Sequence, residues 1–223
     1  MRENLVNARF GCDRGAAGDA FYPREWGAPM RPGILADRRW AVWGQRILVI
    51  GSGGAGKSTF SRALGIATGL PVVHLDVHYW KPNWVAVSAD EWRETIAHLV
   101  AGERWILDGN YSGSLALRLQ RCDTVFYFDF PRWLCFWGVF KRRLSVLGSR
   151  RNDLAAGCRE RLSGVFLRWL WRYPYISRPR TLAAIQEANP PVRVVVIRNR
   201  RDARRALAEV TAHGAAALTE QRL

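Results

Sequence analysis

The chain has 223 residues, 48% of them hydrophobic, with 34 Lys and Arg against 19 Asp and Glu for a formal net charge of +15. That suits one α/β domain with an extension, and the charge points to anionic ligands: nucleotide phosphates, nucleic acid or anionic lipid. Cys12, Cys122, Cys135 and Cys158 lie far apart, with no C-x-x-C pair and no histidine close by, which argues against a zinc site and for thiols in a reducing compartment.

Residues 1–44 carry Gly, Pro, Arg and scattered aromatics without a sustained period, and Pro23, Pro29 and Pro32 break any helix. They read as a poorly ordered extension, with Trp40 and Trp43 as candidates to pack on the first strand. The N-terminus lacks the apolar stretch of a signal peptide. Arg46 to Ile50 is a short β-branched run suited to a buried strand. It feeds Gly51, Ser52, Gly53, Gly54, Ala55, Gly56, Lys57 and Ser58, with Thr59 behind, which fits the phosphate-binding pattern G-x-x-x-x-G-K-[ST]. Thr59 to Thr68 then places Phe60, Ala63, Leu64 and Ala67 at helical spacing.

Strand, glycine loop and helix come in the order this chemistry needs. Glycines let the chain wrap tightly so that successive N–H groups point at a β-phosphate. The helix N-terminus adds partial positive charge. Lys57 is placed to bridge β- and γ-phosphates, and the Ser58 hydroxyl to ligate Mg²⁺.

Further on, Val72 to Asp76 reads as a second strand and Lys81 to Val87 as a loop. Ser88 and Glu91 form a capping box for a helix with Trp92, Ile96, Leu99 and Val100 on one face. Trp105 to Asp108 is the third strand, Leu115 to Gln120 a short helix, and Thr124 to Asp129 a fully apolar fourth strand. Pro131 opens a helix running to about Leu147. Within it Trp133 to Phe140 is the most apolar run, too short to span a bilayer; a soluble cytoplasmic protein with no membrane partner is the expectation. Gly148 to Asn152 interrupts the helical pattern, and Leu154 to Arg172 resumes it until Pro174. Thr181 to Ala188 is a further helical stretch, Val192 to Ile197 the fifth strand, and Asp202 to Ala212 the closing helix before a frayed tail, 214–223.

Strands alternating with helices give a parallel sheet covered on both faces, whose ligands gather at the carboxyl ends of the strands. The glycine loop, Asp76, Asp108, Asp129 and Asn199 all fall there. From Arg132 to Arg180 the basic residues are opposed only by Asp153 and Glu160, although arginine is abundant throughout: Lys57, Lys81 and Lys141 are the only lysines.

Five pieces in order, Gly51 to Thr59, His74-Leu75-Asp76, Leu107-Asp108-Gly109-Asn110-Tyr111, Phe128-Asp129-Phe130-Pro131 and the arginine-rich segment, resemble the nucleoside monophosphate kinase and shikimate kinase branch of P-loop proteins. The order is closer still to the "DNA topology modulation" family of adenylate-kinase-related proteins. The match covers roughly 45 to 212. It implies an α/β fold, the P-loop NTPase three-layer sandwich, with a five-stranded parallel sheet and a helical lid insertion. A kinase-like domain over 45–213, with its lid at about 148–180, follows.

The resemblance also implies roles. Asp108 stands near the Mg²⁺ water shell with Ser58; Asp76 touches an acceptor hydroxyl; Arg143, Arg150 and Arg151 stand where such kinases carry lid arginines, Arg150 taking a catalytic part beside Lys57. Asp129 is an alternative metal-associated carboxylate. Asp108-Gly109-Asn110-Tyr111-Ser112 departs from the kinase pattern Asp-Gly-Phe-Pro-Arg, so the arginine that holds an acceptor's phosphate is missing. His74 and His78 lack a third ligand at useful spacing for a metal. The expectation is ATP binding with Mg²⁺ and phosphoryl transfer to a small-molecule acceptor, a nucleoside, nucleotide or hydroxylated metabolite. The rival is an ATP-dependent nucleic-acid binder in which hydrolysis acts as a switch. Oligomeric state is not legible.

Overall fold

The computed structural model of the chain describes residues 44–145, 155–158 and 163–220. In chain order the elements are β1 (Arg46–Gly51), α1 (Lys57–Thr68), β2 (Val72–His74), α2 (Leu75–Tyr79), β3 (Trp80–Lys81), β4 (Val85–Ala86), α3 (Ala89–Ala101) and β5 (Trp105–Asp108). They continue with α4 (Leu115–Leu119), β6 (Thr124–Phe128), α5 (Arg132–Ser145), α6 (Gly164–Gln186), β7 (Arg193–Ile197) and α7 (Arg200–Glu220). The main sheet has five strands in the order β2-β5-β1-β6-β7, and every pair in it is parallel.

The alternation of side chains along a strand divides the interior in two. Leu48 and Ile50 face one core with Leu107, Val125 and Tyr127, closed by Trp92, Ile96, Leu115, Leu182 and Ile185. Ile47 and Val49 face the other with Ile106, Phe126 and Phe128, closed by Phe60, Leu64, Cys135, Leu170 and Val210. The result is an α/β architecture of three layers, and β1, β5 and β6 are apolar on both faces because both are covered. The capping box forms as its spacing dictates: Ser88 Oγ accepts the Glu91 amide at 3.1 Å.

Four sequence expectations change. β2 is an edge strand that pairs with β5 over three residues only. Leu75, fully buried, then turns the chain into α2, so Asp76 sits in a helix's first turn instead of at a strand tip. The stretch expected as a loop after Trp80 contains a small hairpin, with Trp80 opposite Ala86 and Lys81 opposite Val85. Pro174 does not end a helix: α6 runs through both Pro174 and Pro179 and takes in the separate helix expected from Thr181. An interior proline costs about 3 kcal/mol. Here a buried stripe of Leu170, Tyr173, Leu182 and Ile185 on both sides of the prolines offsets it. Finally α7 continues to Glu220, carried by an Ala-rich stretch of high helix propensity, where a tail was expected from 214. Most of the N-terminal extension, with Trp40 and Trp43, and the break at Gly148 to Asn152 lie outside the described residues.

Candidate functional site

The parallel register lines up the ends of three neighbouring strands. Val49 lies beside Asp108, and Asp108 beside His74. The glycine loop leaves β1 two residues after Val49, so it emerges next to the Asp108 carboxylate. The loop can close only with glycine at its turns. Gly54 has φ +77°, and a Cβ there would stand 2.2 Å from the Cys135 carbonyl oxygen. Gly56 has φ +90° and forms the N-cap of α1 with no side-chain cap. The first amides of α1 are therefore left to an incoming anion, at the positive end of the helix dipole.

Lys57 reaches back across the loop and donates to the Ser52 carbonyl at 2.8 Å. Burial lowers the pKa of its ammonium, while the charges of Asp108 and then Asp76 work to raise it. One cation thus feels two carboxylates delivered by different elements, β5 and α2. Asp108 is 5% exposed, and His74 Nδ1 donates to its Oδ2 at 2.8 Å. His74 is accordingly a carboxylate partner. Tyr111 donates its hydroxyl to Asp76 Oδ1. Burial and the Asp76 charge push the Tyr111 pKa well above the ordinary tyrosine value, which keeps the donor protonated.

The turn after β5 is tied to the glycine loop at two points. The Gly109 amide donates to the Val49 carbonyl at 3.2 Å, and Asn110 Oδ1 accepts the Gly51 amide at 3.3 Å. On its other side the turn meets Arg118, which is fully buried. Nη1 donates to the Gly109 carbonyl at 2.9 Å, Nη2 to those of Asn110 and Tyr111 at 3.1 and 2.7 Å, and Nε to Ser114 at 3.4 Å. Desolvation lowers its pKa to about 10. No sequence motif marks this residue. Its signal was its phase: Arg118 shares the buried face of α4 with Leu115 and Leu119.

The lid arginines divide. Arg150 and Arg151 lie outside the described residues. Arg143 is half-buried on α5, yet the α5 arginine whose charge acts on Lys57 is Arg142. Helix phase explains this. Cys135 and Val139 pack on Gly54, and Arg142 continues their face, whereas Arg143 is turned about 100° away. Asp129, the alternative metal carboxylate, is already held: Arg178 grips both its oxygens at 2.8 Å. Arg178 and Arg132, the latter 4.1 Å over the Trp171 ring, show that part of the basic segment is spent on internal contacts.

The residues present fit a nucleoside triphosphate with Mg²⁺. The glycine turns let the loop pack closely on α5, with uncapped amides and a half-buried lysine beside them. Among the described residues no group of three or more His, Cys, Asp or Glu could hold a metal ion. A divalent cation would therefore lean on the Ser58 hydroxyl, phosphate oxygens and water, with Asp108 as a water acceptor, and Mg²⁺ tolerates such a shell best. No helix among the described residues is long and apolar enough to cross a membrane.

No protein-family model matches the chain, and no curated protein does. Solved structures do. A gluconokinase from Sinorhizobium meliloti is 15% identical, covering 81% of this chain and 94% of its own, with a TM-score of 0.42. The shikimate kinase from Acinetobacter baumannii, in complex with shikimate, is 16% identical over 75% and 90%, with a TM-score of 0.46. The deoxyadenosine kinase from M. mycoides with bound dCTP is 12% identical over 74% and 98%, with a TM-score of 0.39.

Proposed function

We propose that the chain binds ATP with Mg²⁺ on the loop from Gly51 to Thr59 and transfers the γ-phosphoryl group to a hydroxyl of a small acceptor. The observation that carries this is the loop geometry: Gly54 and Gly56 turn at positive φ, Lys57 folds back to the Ser52 carbonyl at 2.8 Å, and the strand register sets Asp108 beside Val49.

Each residue then has a task. Loop amides and the α1 N-terminus bind phosphate oxygens, and Lys57 neutralises charge between the β- and γ-groups. Mg²⁺, when bound, supplies further charge neutralisation, with Ser58 and Asp108 holding its ligands and waters. Asp76, fixed by Tyr111, orients the acceptor hydroxyl and takes its proton as the new O–P bond forms. Arg142, from the face of α5 turned to the loop, offsets the charge on the moving phosphoryl group. Ser112, standing where the kinase pattern has its arginine, favours a hydroxylated metabolite or nucleoside over a phosphorylated acceptor.

The test is a screen of small hydroxylated metabolites and nucleosides with ATP, comparing the protein with Lys57→Ala. ADP release that depends on one acceptor class and disappears in the variant supports the reading. Acceptor-independent turnover identical in both proteins would overturn it.

A further inference from the structure

The buried cation under the site has a specific use. We infer that Arg118 is the positioning residue that sets the geometry of the turn Gly109-Asn110-Tyr111, and through it three side chains of the site; its part in turnover rests on the function proposed above.

Arg118 is fully buried, and its guanidinium donates to the backbone carbonyls of Gly109, Asn110, Tyr111 and Ser114. A guanidinium in such a place is solvated by carbonyl dipoles alone, and the fall of its pKa to about 10 reflects that. A structural ion pair would have been the economical way to bury a cation; this one is aimed instead at three consecutive carbonyls of one turn. The planar fork of the guanidinium fixes the direction of all three peptide planes together, which a point charge cannot do.

Fixing those planes fixes what projects from the opposite side of the turn. Asp108, just before it, receives His74; Asn110 reaches the Gly51 amide; Tyr111 holds Asp76. These contacts join β2, the glycine loop and α2 to one short segment. Arg118 touches none of the groups that would react, so it acts through the turn. A lysine at this position keeps the charge and loses the fork.

The experiment uses Arg118→Lys and Arg118→Met in the full chain. Amide hydrogen exchange read by NMR, without any ligand, should show the Gly109 and Gly51 amides exchanging at least 10-fold faster in Arg118→Lys, with Val49, Ile50 and the α3 amides unchanged. A role in general stability would raise exchange across the chain instead. With a fluorescent ATP analogue and Mg²⁺, the affinity of Arg118→Lys should stay within about 3-fold of the parent, while kcat for ATP turnover falls at least 10-fold. Arg118→Met should show the same pattern more strongly, or fail to fold, in which case the lysine variant decides. Uniform loss of protection, an unaltered Gly51 amide, or unaltered kcat with a loosened turn would each overturn the inference. A parent protein that binds no nucleotide would overturn the phosphotransferase reading alone, and the exchange data would still decide the role of Arg118.

Discussion

The Tyr111 hydroxyl donates a hydrogen bond to Asp76 across 35 residues of chain, joining the turn after β5 to the first turn of α2. Removing that hydroxyl with Tyr111→Phe leaves the ring contacts to Tyr79 and Trp92 in place, with centroids 4.5 and 4.9 Å apart. A buried hydrogen bond to a charged acceptor is worth about 1.5–3 kcal/mol. The variant should lose stability of that order and lower kcat by about 10- to 100-fold, with nucleotide affinity unaltered. Thermal unfolding, nucleotide titration and acceptor-dependent ADP release check the three parts.

Lys57 links the site to pH. Its folded-state pKa lies below the ordinary lysine value because burial disfavours the ammonium. Below both values the charged group therefore costs stability, and the cost is relieved as pH rises through the window between the lowered folded value and 10.5. ATP affinity should run the other way, weakening over the same window as the ammonium loses its proton. Calorimetric titrations in buffers of different ionisation enthalpy should show proton uptake on nucleotide binding, and Lys57→Met should abolish that uptake.

Arg178 and Asp129 form a two-pronged pair that anchors α6 beside the end of β6. The arginine side chain is 32% exposed, so solvent screens part of the interaction. Asp129→Asn should lower stability by about 1–2 kcal/mol and leave Mg²⁺-dependent nucleotide binding unchanged. A variant that loses its Mg²⁺ dependence while keeping its melting temperature would return Asp129 to the metal.

Gly138→Ala should reverse the usual effect of that change in a helix. An alanine ordinarily stabilises a helix interior by roughly 0.5–1 kcal/mol over glycine. At this position the added Cβ would stand 2.1 Å from the Gly54 carbonyl oxygen, which is backbone and cannot swing aside. The variant should be less stable than the parent and bind ATP at least 10-fold more weakly. Equilibrium denaturation and nucleotide titration read both effects.

Much of this was legible in the sequence because the signals were local. The glycine spacing before Lys57, the Ser88 and Glu91 cap and the apolar runs of β1, β5 and β6 each depend on neighbours within a few residues. Asp108 was placed correctly because a strand end needs only the strand. Local sequence makes Asp76 a strand tip, whereas the extent of β2 depends on a partner strand and on Leu75 finding a core, both distant in sequence. That Arg142 lies on the face of α5 that packs on the glycine loop is a matter of helix phase, which periodicity alone does not orient. Arg118 escaped for a related reason: its partners are carbonyls, and composition carries no trace of those. Pro174 reads as a helix stop because local propensity carries no information on the buried stripe that flanks it.

The contact between Gly138 and Gly54 brings two main chains together with no side chain between them. Any adjustment of the loop's curvature is therefore felt by α5 directly, without a rotamer to absorb it. Arg142 rides on that helix, so the same contact between two residues without side chains sets where its guanidinium stands relative to the loop.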